Sequence, residues 1–145
     1  MPEKGWNVSA QTFLMDLKTQ RWQEEPFLPL NVTRYLHASL GLGNQAYVAC
    51  GTDKFMTYLR SVEMLRIGAQ AWDLIDVQNL KPRTSPILCH IDGYIKICIL
   101  GGGTGYLKPV LRNGVILNAK TCSVVKYINN PIWQMGGFAC YSQSF

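Results

Sequence analysis

Residues 34–72 read RYLHASLGLGNQAYVACGTDKFMTYLRSVEMLRIGAQAW, and this stretch decides the fold. Two short apolar runs lie on either side of Gly43-Asn44, and two more follow a polar loop that begins at Gly51. Short apolar runs separated by glycine and asparagine are typical of antiparallel strands joined by tight turns. The stretch therefore predicts a four-stranded antiparallel unit of about fifty residues.

Four markers within this unit recur at a nearly constant distance along the chain. The recurring residues are Met15, Leu65 and Leu117 at one position, Trp22 and Trp72 at a second, Arg34 and Arg83 at a third, and Cys50-Gly51 and Gly101-Gly102 at a fourth. Successive copies are separated by 49 to 52 residues. A period of this length with four strands per copy is typical of the blades of a propeller.

The repeat divides the chain into a leader and four segments. Residues 1–11 show little periodicity, 12–33 form a partial unit, 34–81 and 82–130 form complete units, and 131–145 begin a further one. The predicted strands cover Phe13–Leu17 and the start of a strand at Trp22, then Leu36–Leu42, Gln45–Cys50, Val62–Ile67, Ala71–Val77, Ile87–Ile91, Tyr94–Leu100, Gly114–Leu117 and Val124–Ile128. We expect little helix.

The repeated residues resemble those of the kelch repeat. That family places a diglycine after the second strand, which Gly101-Gly102 matches and Cys50-Gly51 matches in part. Trp22 and Trp72 fit the family's tryptophan, and we expect such side chains to be buried between neighbouring sheets. Val124 departs from the tryptophan. Where kelch repeats carry a tyrosine-type residue, this chain has Met15, Leu65 and Leu117, which are apolar but lack a hydroxyl. Val62-Glu63 resembles the dipeptide that precedes this position in kelch repeats.

The resemblance covers roughly residues 12–128 and implies an all-β fold, a partial kelch-type β-propeller of four-stranded antiparallel blades. Closed propellers use about four to eight blades, more than this chain supplies. We therefore expect the open blade edges to be covered by another chain or by missing sequence. Arg34 and Arg83 begin the first strands of their units, where a guanidinium can bond loop carbonyls or a carboxylate on the next blade.

Composition argues against several classes of partner for this protein. Charged residues make up 16% of the chain, and the net charge of +5 is scattered without a basic run, which argues against nucleic acid as a partner. The five cysteines lack C-x-x-C spacing, and most lie in apolar runs, which favours a reducing compartment. With no signal peptide and no apolar run long enough to span a membrane, we expect a cytoplasmic protein without a membrane partner.

No residue pattern predicts catalysis or a cofactor. His37 and His90 occupy similar places in two units, which favours a structural role over metal binding. The run from Gly101 to Gly105 lacks the Gly-Lys-Ser/Thr ending of a phosphate loop. We therefore expect neither an enzyme nor a cofactor or metal site, and an enzyme remains the least favoured alternative.

The favoured hypothesis is a non-catalytic protein-binding module, for which the resemblance implies a substrate-adaptor or cytoskeletal scaffold role. Its candidate contact loops are 51–60 and 103–112, with Phe55, Tyr58, Arg60, Tyr106, Lys108 and Arg112 as the contact residues. Aromatic and cationic side chains of this kind are enriched at protein interfaces. Two alternatives remain open: the loops only cap the blades, or the chain is a structural subunit that contributes blades to a multi-chain assembly.

Overall fold

A computed structural model describes residues 7–93, 95–105 and 107–129 of the 145-residue chain. Within these residues the fold is all-β, with ten strands in three antiparallel sheets and no helix. The strands are β1 Met15–Asp16, β2 Arg21–Trp22, β3 Ala38–Leu42, β4 Gln45–Ala49, β5 Ser61–Arg66, β6 Asp73–Asp76, β7 Ile87–Ile91, β8 Lys96–Leu100, β9 Asn113–Asn118 and β10 Val124–Asn129. The all-β prediction is confirmed.

The two large sheets have the same topology. β3 to β6 form one four-stranded sheet and β7 to β10 form the other, and each strand pairs with the next one along the chain. The Gly43-Asn44 turn joins β3 to β4 as predicted, with Leu42 paired to Gln45. Gly43 has a φ of 59°, a left-handed conformation that glycine adopts without steric cost.

Several strands are shorter than the sequence predicts: β1 covers only Met15–Asp16, β4 ends at Ala49 and β8 begins at Lys96, and β3 and β6 are also shortened. β3 begins at Ala38 because Leu36 has a φ of 51°, and because the Leu36 carbonyl accepts a hydrogen bond from Ser85 N at 2.7 Å instead of joining the β3–β4 ladder. β6 covers only Asp73–Asp76, whereas the sequence predicts a strand over residues 71–77. In β3 and β6, residues at the predicted end form loop contacts or leave the ladder.

A single apolar cluster lies between the two large sheets, and β3 is the neighbour of β7 across this interface. We call it the central cluster; its buried members are Leu42, Tyr47, Ala49, Cys50, Val62, Met64, Val77, Leu80, Leu88, Ile97, Ile99, Val115, Leu117, Ala119 and Cys122. Alternate residues of β4, β5, β8 and β9 supply it, as the two-residue period of a strand requires. Each large sheet therefore buries one face against the other.

The N-terminal segment covers the opposite face of the first large sheet. Leu28 and Leu30 pack there against Val48, Leu65 and Trp72. Trp72 is 8% exposed, and its Nε1 donates to the carbonyl of Leu28 at 2.9 Å. This position confirms the expected burial of the repeated tryptophan for the second copy.

The expectation of a buried tryptophan is wrong for the first copy, because Trp22 is 65% exposed. Trp22 lies in β2, which pairs only with β1 in a two-stranded sheet, with Met15 opposite Trp22. Among the described residues this hairpin has no further strand beside it. The two tryptophans therefore differ in burial because Trp72 packs against the N-terminal segment, whereas Trp22 lies in a two-stranded sheet.

Within the described ranges no sheet closes on itself. The further strands predicted for residues 131–145 lie outside the described residues. No helix in the described part of the chain has the length and apolar character needed to cross a membrane.

Candidate functional site

Arg34 anchors the connection between β4 and β5. Its Nη1 donates to the carbonyl of Cys50 at 2.8 Å and to that of Ser61 at 3.4 Å. Its Nη2 donates to Glu63 Oε1 at 2.6 Å, and both side chains are completely buried. The two ends of the loop that joins β4 to β5 are thus held by one guanidinium.

Glu63 is enclosed by donors on its other side. Its carboxylate accepts hydrogen bonds from the backbone N–H of Asn31 at 2.5 Å and of Val32 at 3.1 Å, and from Asn31 Nδ2 at 3.0 Å. Asn31 Nδ2 also donates to the carbonyl of Trp72 at 2.7 Å. A buried carboxylate is tolerated only when it is paired and hydrogen-bonded, and this one is both.

Arg83 anchors the corresponding connection between β8 and β9. Its Nη1 donates to the carbonyls of Gly101 and Asn113, both at 2.8 Å, and its Nη2 donates to Asn113 Oδ1 at 2.9 Å. Its Nε donates to the carbonyl of Lys81 at 3.0 Å. The expectation that these arginines bond loop carbonyls is therefore confirmed for both copies, whereas the carboxylate that pairs with Arg34 lies in the same sheet and not in the next one.

Two glycines allow the chain to pass closely at equivalent places. A Cβ on Gly51 would lie 2.7 Å from the carbonyl oxygen of Tyr35, and one on Gly102 would lie 2.6 Å from that of Thr84. Their φ values are +94° and +89°, which side chains other than glycine rarely adopt. The matched surroundings confirm that the repeated Cys50-Gly51 and Gly101-Gly102 pairs mark the same structural position.

The segment of residues 83–85 brings the two predicted contact loops to the same end of the molecule. On one side Gly51 N donates to the carbonyl of Arg83 at 2.9 Å, and Arg83 N donates to that of Leu59 at 3.0 Å. On the other side Thr84 and Gly103 exchange two backbone hydrogen bonds of 2.9 Å. Loops 51–60 and 103–112 therefore flank one segment, and we call this region the loop surface.

A compact turn presents the tip of loop 51–60. Asp53 Oδ1 accepts from the backbone N–H of both Phe55 and Thr57 at 2.8 Å. Phe55 is 75% exposed, and Lys54 Nζ lies 5.0 Å from the centre of its ring. The turn thus holds an aromatic ring and a cation together at the tip.

The other two predicted contact residues of this loop lie closer to the sheet. Tyr58 is half-buried. Arg60 forms a two-pronged pair with Asp76 of β6, with distances of 2.7 and 2.8 Å. These two bonds join the base of the loop to the sheet edge, and the hydrogen bonds from the guanidinium lower the pKa of the Asp76 carboxyl.

In loop 103–112 the structure places Lys108 and Arg112 on the surface. Lys108 N donates to the carbonyl of Gly105 at 3.3 Å, which closes a turn. Tyr106, the remaining predicted contact residue, lies outside the described residues.

Three exposed apolar side chains on the loop surface were not predicted from the sequence. They are Leu36, Met56 and Leu107, of which Leu107 is 89% exposed. Met56 and Leu107 occupy equivalent positions 51 residues apart, with φ values of 65° and 61°. A left-handed conformation is uncommon for such residues, and its recurrence points to a constraint on both loops. In the sequence, only the 51-residue spacing indicates that Met56 and Leu107 are equivalent.

A second candidate surface is an apolar groove of about 770 Å³ beside the N-terminal hairpin. Leu14, Leu17 and Phe27 line one side, and Ala46 and Leu65 line the other. Leu17 is 79% exposed at its edge. A groove of this size and character can accept apolar side chains.

Chemical groups for catalysis or metal binding are sparse. In residues 7–93, 95–105 and 107–129 no three His, Cys, Asp or Glu side chains come together as a metal site would require. Burial raises the pKa of the Cys50 thiol to about 12 and that of Cys122 to about 11, which keeps both thiols protonated near neutral pH.

Comparison with models of known protein families finds no match for this chain, and comparison with curated proteins finds none either. The kelch resemblance therefore remains a prediction, based on the repeat positions.

Proposed function

We propose that the chain is a non-catalytic protein-binding module of kelch type, whose two large sheets are successive blades of a propeller. The observation that carries this proposal is the repeated geometry around Arg34 and Arg83. Both guanidiniums hold the two ends of the loop between the second and third strands of their sheet. Packing of one sheet on the next through neighbouring first strands agrees with a radial arrangement.

The loop surface is the proposed binding region. It combines exposed apolar side chains, chiefly Phe55, Met56 and Leu107, with the cations Lys54 and Lys108. Apolar anchors surrounded by cations fit an extended peptide or loop that carries acidic residues beside aromatic or aliphatic ones. We propose a protein partner of this chemistry, in an adaptor or scaffold role.

Panning the full chain against a displayed library of acidic peptides with aromatic and aliphatic positions tests this proposal. Affinity of the selected peptides is then measured for Phe55→Ala and Leu107→Ala. We expect each substitution to weaken binding by about tenfold or more, which corresponds to about 1.4 kcal/mol.

Ile95→Ala is the matched control, because Ile95 is also an exposed apolar residue, at 58%, but lies at the β7–β8 turn and does not line the apolar groove. Its affinity should be unchanged, and all three variants should retain the unfolding midpoint of the parent. Equal affinity of the parent and both loop variants for every selected peptide would refute the loop surface as the binding region.

A second candidate function is that of a structural subunit that contributes blades to a multi-chain assembly. The specific observation in its favour is the two-stranded N-terminal hairpin, in which Leu17 is exposed at the edge of the apolar groove and Trp22 is exposed on β2. A sheet face of this kind is normally buried by a neighbour. Light scattering over a concentration series tests it: assembly predicts a mass above that of one chain, reduced by Leu17→Asp, whereas a constant single-chain mass in both proteins contradicts it.

A further inference from the structure

Two cysteines lie directly opposite each other on neighbouring strands of the second large sheet. Cys89 of β7 is the register partner of Cys98 of β8. Leu88, Ile97 and Ile99 belong to the central cluster, so the alternation of side chains puts both cysteines on the other face of the sheet. Cys89 is half-buried, whereas Cys98 is 3% exposed.

The backbone ladder fixes how close the two residues are. Gly101 N donates to the carbonyl of Asn113 in β9, so alternate residues of β8 bond to β9 and the residues between them, including Cys98, bond to β7. Cys89 and Cys98 are therefore a hydrogen-bonded pair, whose Cα atoms are about 5.5 Å apart in such ladders. Disulfides span Cα distances of about 4.4 to 6.8 Å, which includes this spacing.

The two thiols also interact through their sulfur atoms. Cys98 donates a hydrogen bond to Cys89, and this bond lowers the pKa of the Cys89 thiol below its usual value. The same shared proton raises the pKa of Cys98, and burial raises it further. Cys89 is thus the more readily deprotonated thiol of the pair, and Cys98 is the thiol opposite it in the ladder.

The other described cysteines lack this combination. Cys50 and Cys122 are both buried, and burial raises the pKa of each thiol. They consequently provide internal controls within the same chain.

We propose that Cys89 and Cys98 form a dithiol site that a hydroperoxide oxidises to a reversible cross-strand disulfide. The Cys89 thiolate attacks one peroxide oxygen, the O–O bond breaks, and the other oxygen leaves as hydroxide or alkoxide and takes up a proton. The Cys98 sulfur then attacks the resulting sulfenic acid, the S–S bond forms, and the S–O bond breaks with loss of water. In sum, two thiols and one hydroperoxide give one disulfide, one water and one alcohol, or a second water from hydrogen peroxide.

The register also explains why the disulfide is easily reversed. The Cα spacing suits a disulfide, but the Cβ atoms of a hydrogen-bonded pair are about 5.5 Å apart, whereas a disulfide requires about 3.5 to 4.5 Å, so the strands must adjust slightly when the bond forms. Strained disulfides are more readily reduced than relaxed ones. A small dithiol reductant should therefore restore both thiols under mild conditions.

Peptide mapping of the folded full chain tests the site. The protein is treated with one equivalent of hydrogen peroxide, remaining thiols are alkylated, and trypsin cleaves after Lys96, which separates the two cysteines. We expect the peptides that contain Cys89 and Cys98 to be linked, the intact mass to fall by two hydrogen atoms, and dithiothreitol to reverse both changes.

Cys89→Ser and Cys98→Ser should each abolish the linked peptides, whereas the matched control Cys122→Ser should leave them unchanged. Alkylation of both cysteines in the oxidised parent chain, or linkage of Cys89 to a different cysteine, would overturn the proposal. The parent measurement requires no variant to fold, so the result is decisive even if Cys98→Ser is unstable.

A second readout concerns the thiolate itself. The rate of iodoacetamide reaction at Cys89, followed against pH in the parent chain, should reach half its maximum at a lower pH than the rate at Cys122. In Cys98→Ala, which removes the S–H donor, the Cys89 profile should move to higher pH. Identical profiles for Cys89 and Cys122 in the parent chain would contradict the assignment of Cys89 as the reactive thiol.

Discussion

Arg34 and Arg83 hold equivalent loops in the two large sheets but satisfy their buried charge differently. Arg34 pairs with Glu63, and its buried Nε has no hydrogen-bond partner among the described residues. Arg83 has no carboxylate within ion-pair distance in the described part of the chain, and all three of its nitrogens donate to carbonyl or amide oxygens. Loop anchoring is common to both sites, while the counter-charge is not.

The neighbour that each sheet faces explains the difference. Glu63 pairs with Val48 across the ladder, and Val115 occupies the same register position opposite Ile99 in the second sheet. Glu63 faces the N-terminal segment, whose backbone N–H groups at residues 31 and 32 need an acceptor. Val115 faces the apolar central cluster, where a carboxylate would be costly. Each repeat thus keeps an arginine that bonds to the loop carbonyls. The side chain at the position of Glu63 and Val115 differs according to what that face of the sheet packs against.

The largest expected effect separates the two arginines. Arg34→Met leaves the Glu63 carboxylate buried without its cation, so we expect a loss of about 3–5 kcal/mol in the free energy of unfolding. Arg83→Met leaves carbonyls without a donor but no unpaired charge, so we expect about 1–3 kcal/mol. Urea unfolding of both variants measures the difference. Equal losses of unfolding free energy in the two variants would mean that leaving the Glu63 carboxylate without its cation has no additional cost.

The glycines should respond alike where the arginines do not. Gly51→Ala and Gly102→Ala each place a Cβ against a backbone carbonyl at positive φ, so we expect both to lose more than about 1 kcal/mol, by similar amounts. Gly41→Ala is the control, because a Cβ there meets nothing within 4 Å. If only one of the two variants were destabilised, the structural equivalence of the two sheets would be disproved.

The smallest expected effect concerns a bond between the sheets. The Tyr47 hydroxyl donates to the carbonyl of Ala119, so Tyr47→Phe should cost about 1 kcal/mol at neutral pH in urea unfolding. Tyr35→Phe is the control, since that hydroxyl contacts only the Met56 sulfur among the described residues. A larger loss for Tyr35→Phe than for Tyr47→Phe would contradict this role of Tyr47.

The parent chain and Tyr47→Phe should also differ in their stability at alkaline pH. Burial raises the pKa of Tyr47 to about 12, whereas a tyrosine in the unfolded chain has a pKa of about 10. The unfolded chain therefore loses its proton first, and stability falls as pH rises from about 10 towards 12. Tyr47→Phe should lose less stability over this interval than the parent chain, and parallel pH curves would contradict the prediction.

Local sequence signals predicted the strands well where turn chemistry was explicit. Gly43-Asn44 marks the first hairpin of the first large sheet, where Leu42 pairs with Gln45 as predicted. The start of β3 was misjudged because the backbone at Leu36 adopts a conformation imposed by Ser85, which is distant in sequence. A pattern read from neighbouring residues cannot contain that contact.

The candidate site was predicted less completely than the fold. Aromatic and cationic residues of the loops stood out, but Arg60 forms a pair with Asp76 that no local spacing reveals. Exposed apolar side chains such as Leu107 look like core residues until their surroundings are known. The buried pairing of Arg34 with Glu63 likewise required the fold, because 29 residues separate them.

The passage of residues 83–85 between the two loops has a consequence for how the molecule comes apart. Hydrogen bonds hold Arg83 to the preceding loop and Thr84 to the following one. Residues 83–85 therefore cannot act as a hinge between the two sheets unless these bonds break. Unfolding either sheet breaks hydrogen bonds between residues 83–85 and both loops. We therefore expect the two sheets to unfold in one cooperative transition and not one after the other.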